Sequence, residues 1–132
     1  MKVVEVRNIY DFLSKLKLNK LTKEVRVAVL KNYTELTTVN REIDAKIEEL
    51  RKKVFTDEEL QELQNAINNK TEVSKVLIDK NNTYNEVILK MFDDECDVKV
   101  VKISEEKFID CLVDSEVEFT PVDILRLKPI LK

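Results

Sequence analysis

Apolar residues recur every seven positions along residues 22–54, and this spacing predicts one long helix with an apolar seam. The seam has two columns, Val29, Leu36, Ile43 and Leu50 in the first and Tyr33, Asn40, Ile47 and Val54 in the second. Thr22 stands directly before the helix and is a candidate N-cap. The polar Asn40 has two interpretations: it is buried and fixes register or oligomeric state, or it lies at a solvated edge.

A second long helix is predicted up to about residue 92, because the same spacing resumes after residue 59. Its columns are Leu60, Ile67, Ser74, Asn81 and Ile88, and Leu63, Lys70, Leu77, Tyr84 and Met91. The segment NNKT at 68–71 indicates a kink or a break, since asparagine side chains compete with the helical backbone for hydrogen bonds.

A reversal of the chain near Thr56 would bring these two helices together. Thr56 and Glu59 have the spacing of a capping box, which starts a new helix without a left-handed residue. That matters here because the chain contains no glycine. The predicted opposite pairs are Val54 with Leu60, Ile47 with Ile67, Asn40 with Ser74, and Tyr33 with Asn81, and a register shifted by half a heptad is the alternative.

Short strands and helices are predicted at both ends of the chain. Strands are expected at residues 3–6, 96–104 and 116–119, and helices over about 9–18 after Asn8, after Ser104, and after Thr120 with Asp123. The predicted fold class is therefore α+β, mainly helical: a long antiparallel, coiled-coil-like helical hairpin with a small β-sheet and short helices at its base. We predict a single domain over 1–132, with the hairpin at about 22–92 and the base formed by 1–21 and 93–132.

Composition and charge narrow the function classes. The 132 residues are 43% hydrophobic and 37% charged, with 23 basic against 26 acidic side chains, which is unlike a disordered chain or a strongly basic nucleic-acid binder. No window approaches eighteen uninterrupted apolar residues, and the opening MKVVEVRN has no cleavage site of a signal peptide. We therefore expect a soluble, cytoplasmic protein with no membrane partner, whose Cys96 and Cys111 are reduced.

The absence of glycine and histidine excludes most familiar catalytic and nucleotide-binding motifs. Without glycine there is no phosphate-binding loop or dinucleotide-binding turn, and without histidine there is no imidazole base or ordinary zinc ligand set. We predict no enzymatic activity, no cofactor and no small-molecule substrate.

Charged residues supply two candidate interaction sites. The acidic candidates follow the second long helix at Asp93, Asp94, Glu95 and Asp97. They are interpreted as a solvated turn or a surface for a basic partner, with a divalent-metal site as the less favoured reading. The basic candidates are Lys17, Lys20, Lys23 and Arg26, within a run that also includes Lys15 and Lys31. They are interpreted as a solvated face paired with the acidic C-terminal third, or as a phosphate-binding surface.

The N-terminal third has Phe12, Leu13, Leu16, Lys17, Leu18 and Lys20 in an arrangement close to the pattern FLxxLKLxxK. With this pattern it resembles a family of small uncharacterised tailed-phage proteins. Those begin with a short strand, a helix that carries the pattern, and a long helix that runs into a charged hairpin. Here the last lysine is one position early, and the family's Ser-Arg-x-Arg element is missing. The resemblance implies a phage or prophage origin and no known enzymatic activity, and it assigns no functional residue.

The sequence favours a non-catalytic protein–protein interaction or assembly protein, acting by self-association or on a protein partner in the host cytoplasm or the virion. One alternative is a small inhibitor of a host nucleic-acid enzyme that acts through an acidic surface. A second alternative is nucleic-acid binding through the basic start of the first long helix.

Overall fold

A computed structural model describes all 132 residues, and helices take up 73% of them. The helices are α1 (Val3–Ser14), α2 (Lys23–Val54), α3 (Asp57–Asn69), α4 (Lys75–Met91), α5 (Glu105–Asp114) and α6 (Pro121–Leu127), with 3₁₀ turns at Leu18–Lys20 and Lys128–Ile130. The mainly helical prediction is confirmed. The predicted β-sheet is wrong, because the only β-type pairings are two isolated bridges, Lys2 with Glu95 and Ile103 with Leu131.

The first predicted strand is instead the start of α1. Val3, Val6, Ile9 and Leu13 are buried, and their spacing is that of one helical face. The Lys2 amide donates to Glu5 Oε1 at 2.8 Å, which satisfies one backbone donor at the helix start. Burial of this stripe therefore outweighs the preference of valine for strands. The helix predicted over 9–18 begins six residues earlier, and Asn8 lies inside it.

The other two predicted strands are irregular segments that belong to no β-sheet. In the stretch 96–104, Ile103 exchanges backbone hydrogen bonds with the C-terminal residues, its amide donating to the Ile130 carbonyl at 2.9 Å and its carbonyl accepting from the Lys132 amide at 2.9 Å. In the stretch 116–119, no backbone hydrogen bond joins Glu118 or Phe119 to another segment. The capping predictions for the neighbouring helices are confirmed, since Ser104 accepts from the Lys107 amide and Thr120 accepts from the Asp123 amide.

The chain divides into two compact units, one formed by residues 1–41 and 94–132 and the other by residues 42–93. The predicted single domain, with a hairpin at about 22–92, stays a prediction. The first unit has the larger core, which includes Val6, Ile9, Leu36, Phe108, Leu112 and Ile130. The Tyr10 and Tyr33 rings stack in this unit with centroids 4.9 Å apart. The hydrogen bond that joins the two hydroxyls raises the pKa of Tyr33.

The buried stripe of α2 differs from the predicted seam in one of its two columns. In the first predicted column Val29, Leu36 and Ile43 are buried, and Leu50 is half-buried. The second buried column is Val25, Asn32 and Val39, so Asn32 and Val39 take the places predicted for Tyr33 and Asn40, each one position earlier. Tyr33 and Ile47 are half-buried, and Asn40 is buried beside the stripe.

In the second unit, α3 begins at the predicted capping box. Thr56 Oγ1 accepts from the Glu59 amide at 3.2 Å, and the Glu59 carboxylate accepts from the Thr56 amide at 3.1 Å. The same carboxylate binds Lys80 Nζ of α4, with both oxygens at 2.7 Å. Phe55 is buried, and its ring meets the Tyr84 ring edge-on with centroids 5.8 Å apart. These contacts hold the start of α3 and the turn before it against α4.

The predicted second long helix is broken into α3 and α4, as one reading of NNKT indicated. Lys70 follows α3 in the left-handed region at φ 53°, and Ser74 caps α4 by accepting from the Leu77 amide. The predicted pairing of Ile47 with Ile67 is wrong, because Ile67 is 71% exposed. The break lets the chain change direction at residue 70, so the second seam does not continue through it.

Candidate functional site

Two of the basic candidates, Lys17 and Lys20, line a cavity of about 540 Å³ in the first unit. Lys15 and Phe12 complete this wall, and the opposite wall is formed by Ser115, Glu116, Val117, Glu118 and Asp123. The cavity therefore carries both signs of charge. A polyanion placed there would meet carboxylates as well as ammonium groups.

The cavity lies where two connections run past each other. Lys15 ends α1, and Lys17 is extended before the 3₁₀ turn at Leu18–Lys20. On the other side, Glu116 turns the chain after α5 with φ 57°, a left-handed conformation that a chain without glycine must give to another residue. Ser115 Oγ donates to the Lys20 carbonyl at 3.1 Å and ties the two connections together.

The lysines of this cavity form no ion pair. None of Lys15, Lys17 and Lys20 has a carboxylate oxygen within 4.0 Å, and the Glu118 carboxylate has no hydrogen-bond donor. One interpretation of the basic run was pairing with the acidic C-terminal third. Carboxylates of that third line the same cavity as the lysines, but no ion pair joins them.

The remaining basic candidates lie outside the cavity. Lys23 is the exposed first residue of α2, and the Arg26 guanidinium donates to the Leu21 carbonyl at 3.0 Å. The basic run is thus divided between a cavity wall and the first turn of a helix. Glu24, between them in sequence, accepts from Lys107, and this bond lowers the pKa of the glutamate.

The acidic candidates do not converge on a single point. Asp93, Asp94, Glu95 and Asp97 are all exposed. The Asp94 carbonyl accepts from the Val3 amide at 3.0 Å, and Glu95 Oε2 binds the α-amino group of Met1 at 2.9 Å. That hydrogen bond lowers the pKa of Glu95. No group of three or more acidic or thiol side chains is arranged to hold a metal ion, and both cysteines are free thiols.

Asn40 is buried, with its side chain only partly satisfied. Its Oδ1 accepts from the Arg7 guanidinium at 2.9 Å, whereas its Nδ2 has no hydrogen-bond partner. Asn40 is therefore buried and not at a solvated edge, whereas its role in fixing register or oligomeric state stays a prediction. Its predicted opposite residue, Ser74, uses its hydroxyl to cap α4.

The second unit carries an apolar surface that sequence reasoning missed. Five large aliphatic side chains of α3 and α4 are exposed: Ile67, Val76, Ile78, Val87 and Leu89. On α4 they lie on both sides of the buried positions Leu77 and Met91. The sequence carries a signal for this surface, since residues eleven apart share a helical face, which groups Val76 with Val87 and Ile78 with Leu89.

No family model, no curated protein and no solved structure matches this chain. None of the helices combines the length and the apolar character that a membrane-spanning segment needs.

Proposed function

We propose that this protein is a non-catalytic interaction protein that binds protein surfaces through the exposed apolar faces of α3 and α4. One observation carries the proposal: the second unit exposes more large apolar side chains than it buries. The buried set is Ile43, Phe55, Leu77 and Met91, and the exposed set is Ile67, Val76, Ile78, Val87 and Leu89.

The distribution around α4 supports this proposal. Leu77 and Met91 face the core, Val76 and Val87 lie on one flank, and Ile78 and Leu89 lie on the other, as a turn of 100° per residue requires. Aliphatic side chains of α4 therefore extend on both sides beyond the face that the fold buries. Covering these flanks with a partner removes apolar area from water at about 25 cal/mol per Å².

The charged candidates give weaker support to the alternatives. Lys17 and Lys20 share their cavity with Glu116 and Glu118, which would repel a nucleic-acid phosphate. In the acidic turn, Glu95 is already bound to the Met1 amino group. We therefore assign the proposed interaction to the exposed aliphatic side chains of α3 and α4. On the resemblance of its N-terminal third, we further propose that it is a phage-encoded virion or assembly component.

The proposal is tested by a double variant that places one charge on each flank of α4, Val76→Glu with Leu89→Glu. Both side chains are exposed, so the fold is expected to survive, which circular dichroism checks. We expect the tagged wild-type protein to associate, measured as mass in solution and as capture of proteins from a native-host lysate. The double variant should lose that association, and Gln61→Glu, an exposed polar position on α3, should keep it. Association that survives the double variant would overturn the proposal.

A further inference from the structure

One flank of α4 has the pattern of an uncovered coiled-coil seam. Ile78, Asn82, Asn85 and Leu89 follow one another at spacings of four, three and four residues, so they form one stripe about 16 Å long at 1.5 Å per residue. Ile78 is 48% and Leu89 65% exposed, and both asparagines are exposed. No hydrogen bond to either asparagine side chain is present, and the stripe itself carries no charge.

This stripe has the same order of apolar and amide side chains in both directions along α4, so it can pair with an antiparallel copy of itself. Its apolar residues are at the two ends and its amides are in the middle, symmetrically about the Thr83–Tyr84 peptide. An antiparallel second α4 would set Ile78 against Leu89 and Asn82 against Asn85. Each asparagine offers both donors and an acceptor, so the two amides can satisfy each other. A two-fold axis generates both pairings at once.

Charges around the stripe favour the antiparallel arrangement over the parallel one. Lys75 extends the stripe by three residues towards the helix start, and a parallel pair would place the two Lys75 ammonium groups side by side. An antiparallel pair separates them and also opposes the helix dipoles. Asp79 and Glu86 border the stripe, and each has a lysine four residues away on its own helix, so the border has no net charge.

We infer that the occupant of this face is a second copy of the chain, which packs α4 antiparallel on α4 as a two-fold homodimer. The inference rests on the proposed function, because it names the partner of one of the proposed surfaces. Central asparagines in such a seam specify register and pairing at some cost in affinity, so a reversible dimer is expected.

The test exchanges charges between copies, with Ile78→Lys in one chain and Leu89→Glu in another. In analytical ultracentrifugation the wild-type mass should rise with concentration from 15.5 kDa towards twice that value. Each single variant should stay monomeric, because its charge would face an aliphatic side chain. An equal mixture of the two variants should form the dimer again, since the introduced lysine of one copy then faces the introduced glutamate of the other. The matched control is Val76→Glu, an exposed apolar position on the other flank, which should dimerise like wild type.

Three results would overturn the homodimer: a wild-type protein that is monomeric at every concentration, single variants that still dimerise, or a mixture that stays monomeric. The last would arise from a parallel pair. If the wild type is monomeric and Ile78→Lys abolishes its capture of other proteins, the homodimer is contradicted and the proposed protein-binding function is supported. If the wild type is monomeric and no variant changes its capture of other proteins, both proposals are contradicted.

Discussion

The side-chain amide of Asn32 pairs with the backbone of Val101 as a neighbouring strand would. Asn32 Nδ2 donates to the Val101 carbonyl at 2.9 Å, and Asn32 Oδ1 accepts from the Val101 amide at 2.7 Å. Asn32 is fully buried on α2, whereas Val101 lies in the irregular stretch for which the sequence predicts a strand. One side chain thus provides the two hydrogen bonds that a sheet partner would have supplied.

Replacing Asn32 by leucine should destabilise the protein by about 1–3 kcal/mol, because the Val101 amide and carbonyl lose their partners while the number of side-chain heavy atoms is kept. The free energy of unfolding is measured by urea denaturation. The control is Asn19→Leu, an exposed asparagine without a hydrogen bond, which should stay within about 0.5 kcal/mol of wild type. Equal stability of the two variants would show that the Asn32–Val101 pair contributes nothing.

The same asparagine explains why one column of the α2 seam was misassigned. A second column can lie three or four residues after the first, and Val25, Asn32 and Val39 compete with Tyr33, Asn40 and Ile47 for that role. Each of the two columns has an asparagine at its centre, Asn32 in the true one and Asn40 in the predicted one, so apolar content does not separate them. Hydrophobic pattern alone could not place Asn32 in the core, because its partner is a backbone 69 residues away.

Local signals were the most predictive ones. The capping pairs at Thr56 and Thr120 act through residues three positions away, so they were visible in the sequence and are present in the structure. A β-strand requires a partner strand that is often distant in sequence, and none of the three predicted strands is paired with another strand in the structure. In the same way, the lysines of the cavity are neighbours in sequence and were recognised, whereas the exposure of Ile78 and Leu89 depends on which face of α4 the fold covers.

Replacing Asn40 by aspartate should stabilise the protein near pH 7 by about 1 kcal/mol. The variant removes the unsatisfied Nδ2 and converts the bond from Arg7 into a charge-assisted one. Asp44, one turn later on α2, offsets part of the gain. Protonation of the new carboxyl in acid removes the charge-assisted bond, so the gain is expected at pH 7 and not at pH 3.

Urea denaturation at pH 7 and at pH 3 measures this gain. The matched control is Asn81→Asp, which makes the same change at an exposed position of α4. A variant at residue 40 that is no more stable than wild type at pH 7 would show that burial of the carboxylate costs as much as the new bond gains.

Replacing Glu59 by glutamine should lower the melting temperature at neutral pH and have little effect in acid. Glutamine preserves the capping box but loses the ion pair with Lys80. The bonds from Lys80, followed by the Thr56 amide, lower the pKa of Glu59. Its stabilising effect is therefore fully present above the unfolded carboxyl pKa of about 4.3 and disappears as the pH falls through the lower folded value.

Thermal denaturation from pH 7 down to pH 2 measures this effect. Glu58→Gln is the matched control, because Glu58 lies in the same first turn of α3 and has no ion pair. If the two variants show the same pH profile, the contact between Glu59 and Lys80 does not stabilise the second unit.

Replacing Lys70 by glycine should stabilise the protein by up to about 1 kcal/mol. Lys70 ends α3 at φ 53°, and a left-handed conformation costs a residue with a Cβ roughly 1–2 kcal/mol, part of which the greater freedom of unfolded glycine offsets. Urea denaturation measures the change, and Glu116→Gly at φ 57° should shift in the same direction. Lys52→Gly, inside α2, should instead lose about 1 kcal/mol. A loss of stability in Lys70→Gly as large as in Lys52→Gly would mean that residue 70 is helical in solution, and that α3 and α4 form one continuous helix.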